Sequence, residues 1–153
     1  MEALLTAIGS SDIAAFIRAS RWVYPFVNAA HILGIALVVG TIIALDVRIF
    51  GFGRSITVTA AARFLMPFTI TGLVLTIVAG ILLFSVKPPE YAANPMFRLK
   101  LVLLLLALVN ATLLRRRALH HDAPDTIMKV GAVTSLILWT GVLVSGRMIA
   151  FVG

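Results

Sequence analysis

His31 is an ionisable side chain in the middle of an apolar run, "VNAAHILGIALVVG", with Asn28 one turn before it. An imidazole so placed can ligate haem iron or copper through one ring nitrogen, or take up and release a proton. As a neutral ring it can instead hydrogen-bond a neighbouring helix. The helical rise puts His31 about 14 Å below the outer start of its run and Thr76 about 15 Å below the outer end of the second, near Val86, with Asn110 of the third about one turn deeper. These depths predict a polar layer of His31, Thr76 and Asn110, with Asn28 on the His31 face and Tyr24 extending that face outward. Asn28, His31, Thr76 and Asn110 are therefore the candidate cofactor-binding set, with His31 the candidate metal ligand.

The other donors are distant. His120 and His121 fall near the opposite end of the third run, about 20 Å from His31. A haem would then need His31 from a second chain, a non-histidine ligand, or five-coordination. Met96 and Met148 lie near the outer face, where thioethers suit copper(I). In "HHDAPD" adjacent residues point in different directions, which suits a solvated loop better than a chelate. With no cysteine in the chain, disulfides, thiolate sites and cysteine nucleophiles are excluded. Ser-His-Asp sets, phosphate loops, dinucleotide fingerprints and paired intramembrane carboxylates are missing too, so the sequence gives no reason to expect an enzyme.

Three further polar residues stand out. "ALDVRIFG" places Asp46 and Arg48 at the end of the first run, as a local ion pair or helix-end anchor at the cytoplasmic interface. Arg147 in "SGRMIAF" lies near an outer helix end, from which its side chain reaches the headgroups. Pairing with Asp12 or Glu90, or an anionic ligand, are its alternatives. In "NPMFRLK", Asn94 caps a helix with Pro95 first, and Arg98 and Lys100 face outward to lipid phosphate or a partner's acidic surface.

The elements that position these residues follow from composition. Of the 153 residues, 61% are hydrophobic and only 12% charged, with a mean hydropathy of +1.08. A small globule cannot hide that much apolar surface, which makes the lipid bilayer the solvent. Four runs are long enough to span it, at about residues 22–45, 64–86, 97–114 and 130–152. Ahead of them "GSSDIAAFIRAS" reads as an interfacial helix within residues 1–20, capped by Ser11, with Ile13, Phe16 and Ile17 on one face. The first span serves as an uncleaved insertion signal. Short connections, with "KPPEYAANP" joining spans two and three, favour antiparallel neighbours. The expected fold is one all-α domain, an integral membrane four-helix up-down bundle with a short N-terminal interfacial helix. Gly72, Thr76 and Gly80 form a ridge of small residues for close helix packing.

The net charge of +7 does not indicate nucleic acid, because the Lys and Arg residues sit at the ends of the apolar runs. Loops one-two and three-four hold Arg48, Arg54, Arg63, Lys129 and the run Arg115–Arg117, one cation more than the other side. Three adjacent arginines resist translocation. Both termini are therefore expected outside, periplasmic in a bacterial inner membrane.

The segments "SRWVYPFVNAAHILGIALVVG", "ALDVRIFG", "LMPFTITG", "NPMFRLK", "LVNA" and "SGRMIAF" occur in an order that resembles an uncharacterised family of small four-helix bacterial inner-membrane proteins. The likeness runs along nearly the whole chain. The His-Ile-Leu-Gly segment is more distantly similar to the membrane domain of copper-resistance protein D. That likeness implies copper handling or a b-type haem, with His31 as the matching position. The family pattern has an acidic residue where this chain has Asn28, and often a histidine near the end of span three, where this chain has Arg115–Arg117.

Three classes of function remain. One is a membrane metal or haem protein centred on His31. Another is a small transporter subunit with a polar path around His31. The third is a structural or assembly subunit, as a homo-oligomer or within a larger membrane complex.

Overall fold

Capping side chains set the starts of four helices in this protein. The computed structural model describes residues 2–152. Its helices are α1 (Glu2–Gly9), α2 (Asp12–Ala19), α3 (Val23–Ile49), α4 (Val58–Val86), α5 (Pro88–Ala93), α6 (Pro95–Ala118) and α7 (Thr126–Met148). The Ser11 hydroxyl accepts from the Ala14 N–H to start α2, and Thr57 accepts from Ala60 to start α4. Asn94 accepts from Met96 and Phe97 ahead of Pro95, as its sequence predicts. Asp125 caps α7 by accepting from Met128 at 2.7 Å, and its second oxygen accepts from Arg117 Nε at 2.8 Å. The Met128 N–H and then the Arg117 guanidinium hold the Asp125 carboxyl below the usual carboxylate range.

The spans differ from expectation at their ends, where hydropathy is silent. α3 runs on to Ile49, because nothing stops it before Gly51, whose φ of 104° suits glycine. α4 begins at Val58, where Thr57 supplies the cap, rather than near Phe64. α6 continues through Arg115–Arg117, cations that favour the negative end of the helix dipole. α7 stops at Met148. The "KPPEYAANP" connection contains a helix of its own, α5, begun by two prolines that fix φ. The N-terminal segment forms two short helices. α2 turns Ala14 and Ile17 inward and leaves Ile13 and Phe16 exposed, which splits the single face expected for Ile13, Phe16 and Ile17.

Helices α3, α4, α6 and α7 are each long and apolar enough to cross a membrane. α3 packs along α4 and α6 along α7. Contacts between α7 and α3 and a thinner seam between α4 and α6 close the ring. Large apolar side chains such as Leu105 (64% exposed) and Ile137 (67%) face outward, while Ala62, Ala107, Ala132 and Ser135 are buried. Large residues outside and small ones inside is the distribution that a lipid solvent favours. The protein is a multi-pass membrane protein, an all-α four-helix up-down bundle.

Two ends of the bundle are tied differently. At one, Arg18 Nη1 donates to the Val86 carbonyl at 2.9 Å and Asn94 Nδ2 to that of Ile149 at 3.3 Å, joining α2, α4, α6 and the turn after α7. At the other, Thr59 donates to the Ala118 carbonyl and the Val58 N–H to that of Asp122. The described chain therefore begins and finishes at the same end.

The closest approach in the bundle is between α3 and α4. A Cβ placed on Gly72 would lie 2.9 Å from the Gly34 carbonyl oxygen and 3.0 Å from the Val38 nitrogen; one on Gly34 would lie 2.7 Å from the Thr76 nitrogen. These neighbours are backbone atoms and cannot step aside. The ridge Gly72, Thr76, Gly80 thus packs directly on α3, whereas a Cβ on Gly40 would meet nothing within 4 Å. Gly72→Ala is expected to lower the thermal unfolding midpoint in detergent by the equivalent of about 1–3 kcal/mol, and Gly40→Ala to leave it unchanged or raised. Equal midpoints for Gly72→Ala and wild type would contradict this crossing.

Candidate functional site

His31 lies on α3 beside the small-residue ridge of α4. Its Nδ1 is 2.9 Å from the Thr76 carbonyl oxygen. A carbonyl only accepts, so Nδ1 carries the hydrogen, and the neutral ring presents its lone pair at Nε2. The ring is seated over Gly80, where a Cβ would lie 3.1 Å from His31 Cε1. The contact is with the Thr76 backbone. The Thr76 hydroxyl, buried and without a partner among the described residues, is turned against Gly34. Lys100 completes the surroundings. It reaches inward from α6 across Gly146, whose added Cβ would stand 3.6 Å from Nζ, and it is the charge that acts on His31. The expected outward direction of Lys100 is thus corrected; Gly146 leaves the space that admits its stem.

The expected polar layer forms only in part. His31 and Thr76 meet, but Asn28 is exposed on the outer side of α3. Asn110 donates through Nδ2 to the Gly131 carbonyl at 3.0 Å, joining α6 to α7. Lys100, not Asn110, is the α6 residue whose charge acts on His31, and the rise from one to the other is about 15 Å. Arg147 is exposed with its guanidinium 5.1 Å from the Phe151 ring centre, and Glu90 pairs with Lys87 instead. His120 and His121 lie against the Arg116 and Arg117 carbonyls at the end of α6.

Asp46 departs most from its sequence reading. It is 1% exposed, and Arg48 does not pair with it but donates to the Ile56 carbonyl. The continuation of α3 past Leu45 places Asp46 inside the helix rather than at its end. Residues two apart also point to different sides. Asp46 borders a cavity of about 130 Å³ between α3, α4 and α6, which Ser135 of α7 and Arg115 of α6 also line. Neither Asp46 oxygen has a donor among the described residues, and Arg115 Nε has no acceptor. The Ser135 hydroxyl faces the carboxyl without closing a hydrogen bond of normal geometry. Another Arg115 nitrogen, Nη2, lies against Met66 Sδ.

The cavity extends toward Thr41 and Thr69, whose hydroxyls are 2.8 Å apart across the α3–α4 seam. Both also reach carbonyls of their own helices, so the pair offers more acceptors than its two hydrogens can fill. There is room in the cavity for a few water molecules. A carboxyl in this setting needs a proton or a water for its oxygens. The sequence signal for burial was the apolar continuation Val47, Ile49 and Phe50 beyond Asp46.

The histidine nearest the small-residue ridge has no second imidazole beside it, since His120 and His121 lie at the far end of α6. Among the described residues no three His, Asp or Glu side chains cluster as a metal site. His31 stands as a single imidazole whose charged neighbour is an ammonium. Asp46→Asn keeps the shape of the cavity group and removes its charge. It is expected to leave the thermal midpoint at neutral pH unchanged or higher, since no partner is lost. A structural ion pair would instead give a loss of about 3–5 kcal/mol.

No protein family matches the chain, and comparison with curated proteins and with solved structures finds no match either.

Proposed function

We propose that this protein is a small transport module of a bacterial inner membrane, with both termini periplasmic, that passes protons between the His31 site and the Asp46 cavity. One observation carries this reading: among the described residues a membrane-buried carboxyl has no hydrogen-bond donor, and it faces a cavity it shares with a buried arginine nitrogen that has no acceptor. Ionisable groups are costly inside a membrane and mark ion pathways when they occur. His31 and Asp46 lie on the same α3–α4 seam, about 22 Å apart along the helix. Thr41 and Thr69 extend the path from Asp46, and Thr76 borders it at His31. Between these halves the Gly34–Gly72 crossing and the side chains of Val38 and Leu73 close the seam. Proton passage requires the side chains of Val38 and Leu73 to part at that layer and admit water. Arg115 lines the cavity with the carboxyl, and His31 Nε2 takes the proton at the other end.

The test is pH-dye-monitored flux in proteoliposomes under an imposed membrane potential. Wild type is expected to conduct protons, and Asp46→Asn to lower the flux at least tenfold while the protein stays folded. Flux equal to that of protein-free vesicles, or unchanged by Asp46→Asn, would overturn the proposal.

A second reading rests on the His31 ring. Its Nδ1–H is tied to a carbonyl and Nε2 is left free, the arrangement ligating histidines adopt. The resemblance to the copper-resistance membrane domain supports it. Because one chain supplies a single donor, the group would be shared by two copies. Protein purified from haem- and copper-replete cells should then be a dimer whose haem absorption or copper content disappears in His31→Ala. A colourless, metal-free preparation would rule this reading out.

A further inference from the structure

At the end of the bundle away from the described termini, the loop after α3 meets the loop before α7 around a pocket of about 380 Å³. Arg48, Arg54 and Lys129 line it, with Asp122 as its acidic residue. The two arginines are held in a particular way. Arg48 Nε donates to the Ile56 carbonyl and Arg54 Nε to that of Gly51 at 3.2 Å. Each guanidinium is thereby fixed through Nε, and its two Nη groups make no hydrogen bond among the described residues. None of the three cations has a carboxylate partner, since the ion pairs among the described residues are Lys87–Glu90 and Arg117–Asp125. Gly51 and Gly53, with φ of 104° and 63°, make the turn that brings Arg54 back over the pocket. Thr57, the cap of the 29-residue helix α4, stands at the rim, so the positive end of that helix adds to the field.

Fixed guanidinium forks with free Nη groups match the oxygens of a phosphate. The position of the pocket identifies which phosphate. It lies where the four helices long and apolar enough to cross a membrane end, the level at which headgroups are expected. Beside the cations, Phe50, Phe52 (70% exposed) and Ile56 (54%) leave apolar surface uncovered. Cations next to exposed aromatic and aliphatic side chains fit a headgroup above its acyl chains. The excess of cations over the single Asp122 disfavours a headgroup that brings its own ammonium. We propose that this pocket binds one anionic phospholipid of the phosphatidylglycerol type, its phosphate held by Arg48 and Arg54 and its remaining charge facing Lys129.

Native mass spectrometry of delipidated protein in detergent tests this, with phosphatidylglycerol, phosphatidylcholine and inorganic phosphate as probes. Phosphatidylglycerol is expected to bind at least tenfold more tightly than phosphatidylcholine. Arg48→Gln with Arg54→Gln should abolish that preference. Lys129→Gln, which removes no hydrogen bond within the protein, should reduce it several-fold, so the result does not depend on the double variant folding. Arg116→Gln, an exposed cation at the same end but outside the pocket, should bind as wild type does. Equal affinity for the two lipids, or an equal loss in Arg116→Gln, would overturn the site. Millimolar inorganic phosphate that binds lipid-free protein and displaces phosphatidylglycerol would overturn the lipid assignment in favour of a free-anion site.

Discussion

The contact between Gly34 and Gly72 sets the geometry of the rest of the bundle. Two helix backbones meet there without an intervening side chain, and lipid supplies no hydrophobic drive to replace that packing. The crossing fixes the register of α3 on α4. That register brings His31 level with Thr76 and Gly80 at one side of the crossing and Thr41 level with Thr69 at the other. A shift of one turn would take the imidazole away from the carbonyl it bonds and the small residue that admits its ring. The α6–α7 pair is built with more side-chain filling. Leu103 covers Gly141, Leu114 covers Gly131, and Trp139 packs among Val38, Val39, Ala107 and Val142.

Burial of polar groups is uneven around this frame. Serines and threonines in the spans mostly satisfy themselves on their own helix, as Thr112 does on Leu108 and Ser145 on Val142. Asn110 crosses to Gly131 and acts as a tie between helices. Asp46, Thr76 Oγ1, Ser135, Arg115 Nε and Trp139 Nε1 do neither among the described residues. Their unmet hydrogen-bonding capacity is costly in a low-dielectric interior, and all but Thr76 and Trp139 line the same cavity. Membrane proteins keep such groups where function uses them.

Much of the architecture is legible in the chain because the bilayer imposes a length and a composition on each span. The caps at Ser11 and Asn94 were equally plain, since short polar side chains ahead of apolar helices have few other uses. The site was less so. Depth along a helix is readable from a count of residues, but direction is not. Asn28 shares a calculated face with His31 and still points away from the bundle. Lys100 looked like an outward cation, and only the space above Gly146 shows why it turns inward. Asp46 and Arg48 looked like a local pair because they are close in sequence, although two-residue spacing on a helix separates them. Which residues face one another across helices depends on the crossing, and the sequence states that only as small residues at intervals.

The seam between α4 and α6 is the thinnest of the four that close the ring, and the Asp46 cavity lies along it. A bundle deforms first where its packing is least. Lateral pressure, bilayer thickness and acyl-chain order act on the outer surfaces of α4 and α6 and change their separation before they disturb the glycine-locked α3–α4 pair. The cavity around Asp46 thus lies on the side of the bundle where the least protein packing separates it from the lipid.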